Sequence, residues 1–157
     1  MTERTYKRPE SVLVLVLVHT VAGEVLLLRR RVPDDFWQSV IGSLERDETP
    51  AQAARRELRE ETGLEVGDAA LVDCRITNRF PILPAWQGRY AADVTHNTEH
   101  VFSLALPTRT AVRLDPLEHL EYRWLGREAA LALASSHTDR AAILACVPAD
   151  AAGFHTQ

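Results

Sequence analysis

The stretch "GSLERDETPAQAARRELREETGL", residues 42–64, contains a helix whose ends and faces are legible before anything else in the chain. Thr49-Pro50-Ala51-Gln52 offers an N-cap threonine, proline at the first helical position and glutamine at the capping-box position. Gly63 supplies a C-terminal stop, so the spacing predicts a helix over about 50–62. At about 100° per residue, Ala51, Ala54 and Leu58 share a stripe that must face the core. Glu57 and Glu61 then lie along one edge of that stripe, with Glu60 further round and Arg55 and Arg59 on the opposite edge.

The charges on this helix allow two readings. Arg56 and Glu60 form an i,i+4 pair of opposite sign, as a solvated, salt-bridged helix would show. Glu57 and Glu61 form an i,i+4 pair of like sign, which costs about 0.2 to 0.5 kcal/mol on a helix surface. A bound divalent cation would remove that repulsion, and carboxylate oxygens are the ligands that hard ions such as Mg²⁺ prefer. Spacing alone leaves both readings open.

Outside this segment the chain reads as one soluble globular domain over residues 1–157, with a core from about 5 to 148. It shows no internal repeat, low-complexity run or Ser/Gly linker. The formal charge of −4 provides no field for holding a long polyanion, so nucleic acid is not an expected partner. Cys74 and Cys146 have neither CxxC nor Cys/His spacing, too few for a disulfide framework and wrongly placed for zinc, which suits a reducing cytoplasm. The run "VLVLVLV" at 12–18 follows Arg4, Lys7 and Arg8 like a leader peptide, but it is short, β-branched and followed by the Gly23 turn and "VLLL". A buried hairpin is expected there, with no membrane span.

Strands are expected at 11–19, 25–31 and 36–41 before the helix, and at 69–76, 100–106, 111–114 and 121–125 after it. "FPILPAWQGRY" at 80–90 reads as a loop able to lie over a pocket, and helical patterns close the chain at about 127–134 and 138–147. Strands interrupted by one central helix and finished by others indicate an α/β layered domain. Trp37 and Trp124 read as core residues. His96, His100 and His119 lack metal-ligand spacing and are expected to hydrogen-bond in loops and at strand ends.

Read from Gly42, the segment runs glycine, five residues, Glu48, seven residues, then Arg56-Glu57-Leu58-Arg59-Glu60-Glu61-Thr62-Gly63-Leu64. It resembles the Nudix box, G-x5-E-x7-R-E-U-x-E-E-x-G-U with U aliphatic, at every fixed position. Two softer features depart from it: Ile41-Gly42-Ser43 replaces the usual proline and paired glycines, and Asp47 stands where glycine is common. Aspartate tolerates left-handed geometry better than most residues, so the loop is expected to keep its path.

The resemblance implies an α/β/α sandwich with a mixed sheet, and hydrolysis of a diphosphate linked to another moiety. It implies that Glu57, Glu60 and Glu61 bind Mg²⁺, with Mn²⁺ as a substitute, and activate water. Glu48 would support them, Arg56 would orient them, and the Gly42 carbonyl would also face the metal. Glu118 would be the general base, with Glu121 its nearest rival.

Flanking stretches "YKRPESVLVLV" (6–16), "DFWQSVIGSLE" (35–45), "RYAADVTHNTEHVFSLALP" (89–107) and "EHLEYRW" (118–124) are similar to the Nudix subgroup that splits dihydroneopterin triphosphate into its monophosphate and pyrophosphate. That subgroup also accepts dATP and other nucleoside triphosphates. The similarity implies Lys7 and Arg30 as phosphate partners; Phe80 suits packing against a pterin or reads as an ordinary core aromatic, and Ser136 suits a polar contact near the C-terminal helices. Ile41 replaces an expected threonine, so a hydroxyl contact to substrate is lost. Two other readings stand beside this one: a hydrolase of damaged or surplus nucleotides, and a non-catalytic ligand-binding regulator, which would predict eroded box carboxylates.

Overall fold

A computed structural model describes residues 12–89 and 93–148. Lys7 lies outside the described residues. Seven strands form one mixed sheet: β1 (Val12–Thr20), β2 (Glu24–Arg30), β3 (Trp37–Gln38), β4 (Val40–Ser43), β5 (Leu71–Pro81), β6 (His96–Leu106) and β7 (His119–Gly126). The helices are α1 (Pro50–Thr62), α2 (Arg127–Leu133) and α3 (His137–Cys146). β1 runs parallel to β6, and the other pairings are antiparallel.

The Val/Leu alternation of β1 explains the layering, since successive side chains point to opposite faces of a strand. Val14, Val16 and Val18 pack with Ala53, Ala54 and Leu58 of α1. Leu15 and Leu17 pack with Trp37, Ala130 and Ile143 on the face covered by α2 and α3. Both phases are apolar because both faces are covered, which yields the α/β/α sandwich.

Helix α1 has its expected bounds and caps. Thr49 accepts from the Gln52 amide, Gln52 returns the bond to the Thr49 amide, and Gly63 adopts φ 78°. Asp47 takes φ 64°, the left-handed geometry expected of it. The core stripe differs in one place, because Ala51 is exposed and Ala53 is buried in its stead.

Other expectations shift for identifiable reasons. β1 and β2 meet only at His19 and Val25, because β4 takes the place beside Leu13 to Val16. The hairpin therefore splays open, and β2 pairs along its length with β7. Residues 111–114 form no strand: the Arg113 amide bonds to Thr62 O at the end of α1, and Thr110 O accepts from the Trp124 indole. Phe80 and Pro81 end β5 rather than starting a loop, and β6 begins at His96, since the two strands pair from Leu71↔Leu104 to Pro81↔His96. β5 is an edge strand, where a proline costs no ladder bond. Cys74 and Cys146, distant in sequence, meet as free thiols with Sγ atoms 3.2 Å apart, and burial pushes the Cys146 thiol up to about 12. Among the described residues no helix is long and apolar enough to cross a membrane.

Candidate active site

On α1 the i,i+4 spacing places Glu57 and Glu61 on one line, and the fold turns that line inward: both are buried, at 8% and 6% exposure. The two carboxyl groups are neighbours, and each shifts the other's titration. Burial raises the Glu61 pKa well above the ordinary range, and the Glu57 charge adds to it, while a backbone hydrogen bond at Ile41 opposes it. Glu57 is also raised by burial, against the pull of Glu61 and Arg56. A helix needing only solubility would not bury this pair, so the solvated reading fails for Glu57 and Glu61.

Gly42 on β4 permits the close approach, since a Cβ there would overlap the carboxyl group of Glu57. Arg56 braces the pair from outside. Its Nε and Nη2 donate to the two Glu48 oxygens at 2.7 and 2.8 Å, Nη2 also donates to Ser43 O at 2.9 Å, and Nη1 donates to Glu57 Oε2 at 2.9 Å. Glu48 in turn accepts from the Glu45 amide at 2.9 Å, which ties the loop before α1 to the helix. The Arg56 bond holds the Glu48 carboxyl below its ordinary pKa. Glu60 stands apart from the buried pair, exposed, with Oε1 accepting from Arg56 Nη1 at 3.2 Å.

Two features fit a hard cation at Glu57 and Glu61. Glu61 Oε1 is buried without a hydrogen-bond partner, and the donors are carboxylate oxygens. No group of three His, Cys, Asp or Glu side chains among the described residues is spaced to enclose an ion unaided. That also suits Mg²⁺, which is commonly bound by one or two carboxylates plus waters and substrate phosphates.

Glu118 ends the turn before β7; it is exposed, and its charge adds to the upward shift of Glu61. The turn is anchored by the Glu118 and His119 amides on Asp115 O and by Arg31 N on Glu118 O. Glu121 is engaged elsewhere, accepting from Arg29 Nη1 at 2.9 Å, a bond that lowers its pKa. His119 does not make the hydrogen bonds expected of it: it is buried, neither ring nitrogen has a partner, and Nε2 lies 3.9 Å from Glu61 Oε1. Burial and the nearby Arg30 lower its pKa to about 4.

Gly42 also borders a cavity of about 520 Å³, within the size range of small-molecule sites. Arg30, Ile41, Phe80 and Ser136 line it, so the structure gathers three of the four residues expected to meet substrate. Phe80 packs edge-on to His137, with ring centroids 6.4 Å apart. Ser136 is the N-cap of α3, accepting from the Asp139 amide at 3.1 Å. Ile41 presents an aliphatic side chain where the subgroup pattern has a hydroxyl.

Sequence reasoning missed Glu99, His137 and Arg140, which share the cavity wall. Glu99 is 1% exposed, and burial lifts its pKa to about 7 despite hydrogen bonds from Asn78 and Thr138. The available signal was phase: Glu99 lies two residues before the buried Val101, on the apolar side of the same strand.

A family model described as NUDIX domain matches residues 7–146. The chain is 45% identical over 145 residues to the dihydroneopterin triphosphate diphosphatase of Escherichia coli K12, covering 91% of this chain and 95% of that one. It is 37% identical over 140 residues to the protein of that name from Haemophilus influenzae, covering 88% and 87%. The solved structure of the E. coli dihydroneopterin triphosphate pyrophosphohydrolase superposes with a TM-score of 0.83 at 44% identity, covering 92% of this chain and 98% of that chain.

Proposed function

The chain belongs to the NUDIX family, and from that premise we propose that it hydrolyses dihydroneopterin triphosphate to the monophosphate and pyrophosphate, with side activity on dATP and other nucleoside triphosphates. The observation that carries this reading is a junction. Gly42 touches the buried Glu57 carboxyl on one side and borders the Arg30, Phe80 and Ser136 cavity on the other. A triphosphate lying across Gly42 would place its ring in the cavity and its phosphates beside the carboxylates. The two relatives named for this reaction match nearly the whole chain.

Glu57 and Glu61, with Glu118 and the Gly42 carbonyl, are the groups that would hold Mg²⁺, or Mn²⁺ in its place. When bound, such an ion screens phosphate charge and lowers the pKa of a water. The protein's own residues do the rest. Arg56 and Glu48 fix the carboxylate pair, Glu60 adds negative charge at its rim, and Arg30 binds phosphate through its guanidinium. Phe80 offers a face to the ring, and Ser136 a hydroxyl at the cavity wall. Lys7 would add a second cation for phosphate.

Glu118 is the group we assign to accept the proton of the attacking water. It faces the cluster electrostatically, whereas Glu121 is committed to Arg29 and is a weaker base for it. Glu118→Gln is expected to lower kcat by roughly 10²-fold or more. Glu121→Gln should change it less than about threefold, an effect of surface charge only. A reversed order in steady-state assays would transfer the role to Glu121.

The overall reading is tested by phosphate release from purified protein with Mg²⁺, comparing dihydroneopterin triphosphate, dATP and 8-oxo-dGTP at matched concentrations. The pterin should give the highest kcat/KM, with pyrophosphate rather than orthophosphate as product. A nucleotide ahead of the pterin would leave the hydrolytic chemistry in place and replace the substrate, favouring a nucleotide-clearing role.

A further inference from the structure

We propose that Glu99 is the residue that reads the heterocycle, accepting two hydrogen bonds from the 2-amino and N3–H groups of a 2-amino-4-oxopyrimidine edge. This rests on the proposed function, in which a pterin ring enters the cavity, and names the chemistry that selects it.

Glu99 is the buried carboxylate of that cavity, on the strand register where Asn78 and Leu13 flank it. Asn78 Nδ2 donates to Glu99 Oε1 at 3.1 Å, and Thr138 at the first turn of α3 adds a hydrogen bond. These bonds orient the carboxyl group, but Asp139 close by adds repulsion rather than relief. The two carboxylate oxygens together have four acceptor positions, so two neighbours leave capacity for a ligand. Burying such a group is costly unless donors meet it. A planar edge with two adjacent N–H donors meets both oxygens at once, as a guanidinium does.

The surroundings suit the rest of such a ring. Phe80 is two residues along β5 from Asn78 on the same face, pairs with Asn97 and stands beside His137. It offers a stacking surface next to the reading group. Gln38 Nε2, buried and without a hydrogen-bond partner, lines the same cavity and is a donor suited to a 4-oxo group. A cavity with two acceptors and a spare donor complements the donor, donor, acceptor edge shared by pterins and guanine.

A purely structural Glu99 would only hold β5 and the start of α3 together. The test therefore reads ring discrimination rather than turnover alone. Competitive inhibition of nucleotide hydrolysis is measured for neopterin and for the matching lumazine, in which a 2-oxo group replaces the 2-amino group, using wild type and Glu99→Gln. kcat/KM for dGTP and dITP is measured beside them, and melting curves verify the fold.

Wild type should bind neopterin at least about tenfold better than the lumazine, and Glu99→Gln should narrow that gap to less than about threefold, because an amide sets a donor against a donor. A gap of equal size in a folded Glu99→Gln protein overturns the assignment of Glu99 and leaves the pterin reading intact. A gap between dGTP and dITP that Glu99→Gln closes, with no inhibition of wild type by neopterin, upholds Glu99 as the reader and overturns the pterin as the ring. Hydrolysis indifferent to the 2-amino group in both series overturns the inference.

Discussion

Replacing Glu57 or Glu61 with glutamine lowers kcat by roughly 10³-fold, while the metal-free Glu61→Gln protein becomes more stable at neutral pH. The two effects share one cause. Burial raises both carboxyl groups above their ordinary pKa, so the fold favours their protonated forms. The sign follows from linkage: a carboxyl whose folded pKa is raised costs nothing below its unfolded pKa, near 4.5. It weakens the fold progressively as pH climbs from there toward the raised value. Glutamine at Glu61, which takes no part in the Arg56 cluster, removes that cost, so Glu61→Gln should melt higher than wild type at pH 7 and show no advantage at pH 4.

The same substitution removes the anionic oxygens that a divalent cation requires. Adding Mg²⁺ should raise the melting temperature of wild type, because a ligand that binds only the folded state stabilises it. The rise should be much smaller in either glutamine variant. Calorimetry with and without Mg²⁺ reads the site independently of turnover. Near-normal turnover in both variants, together with an undiminished Mg²⁺ shift, would remove the metal from Glu57 and Glu61.

These residues also show where local sequence stops informing. The bounds of α1 were legible because Thr49, Pro50, Gln52 and Gly63 act on backbone groups within one turn of themselves. Asp47 was legible for the same reason, since left-handed geometry is a property of one residue. Periodicity put Glu57 and Glu61 at the edge of the buried stripe, and the structure buries them. Gly42 on β4 lies against Glu57 and His119 of β7 against Glu61, set by sheet pairing that no helical pattern contains. Residues 111–114 carry a strand-like pattern, yet their backbone partners are a helix end and an indole. Glu99 was hidden by the polar run "HNTE", which moved the expected start of β6 to His100 and left the carboxylate outside the strand. The candidate substrate residues Arg30, Phe80 and Ser136 come from three distant segments; Arg30 follows from family resemblance and Phe80 and Ser136 from what a flat, anionic substrate needs, none of them from periodicity.

Arg56 carries the second large effect. Its side chain is 14% exposed and contacts Glu48 and Glu57, themselves 13% and 11% exposed, so the cluster is buried charge rather than a surface pair. Removing one member of a buried pair strands the others without compensation, at a cost of about 3 to 5 kcal/mol. For a domain of this size, Arg56→Met should therefore lower the melting temperature by on the order of 10 °C. Arg55 is the internal control: it meets Asp68 at 2.8 Å, but the partners are 48% and 84% exposed. Arg55→Met should cost under about 1 kcal/mol, because water screens that pair. Arg56→Lys keeps the charge but not the planar fork that holds both Glu48 oxygens, and should recover only part of the stability and little of the activity. Glu48→Gln in the Arg56→Met background should cost less than Glu48→Gln alone, since the carboxylate has then already lost its partner. Additive losses in that double-mutant cycle, or equal melting temperatures for Arg55→Met and Arg56→Met, would show that Arg56 does not brace the carboxylate pair.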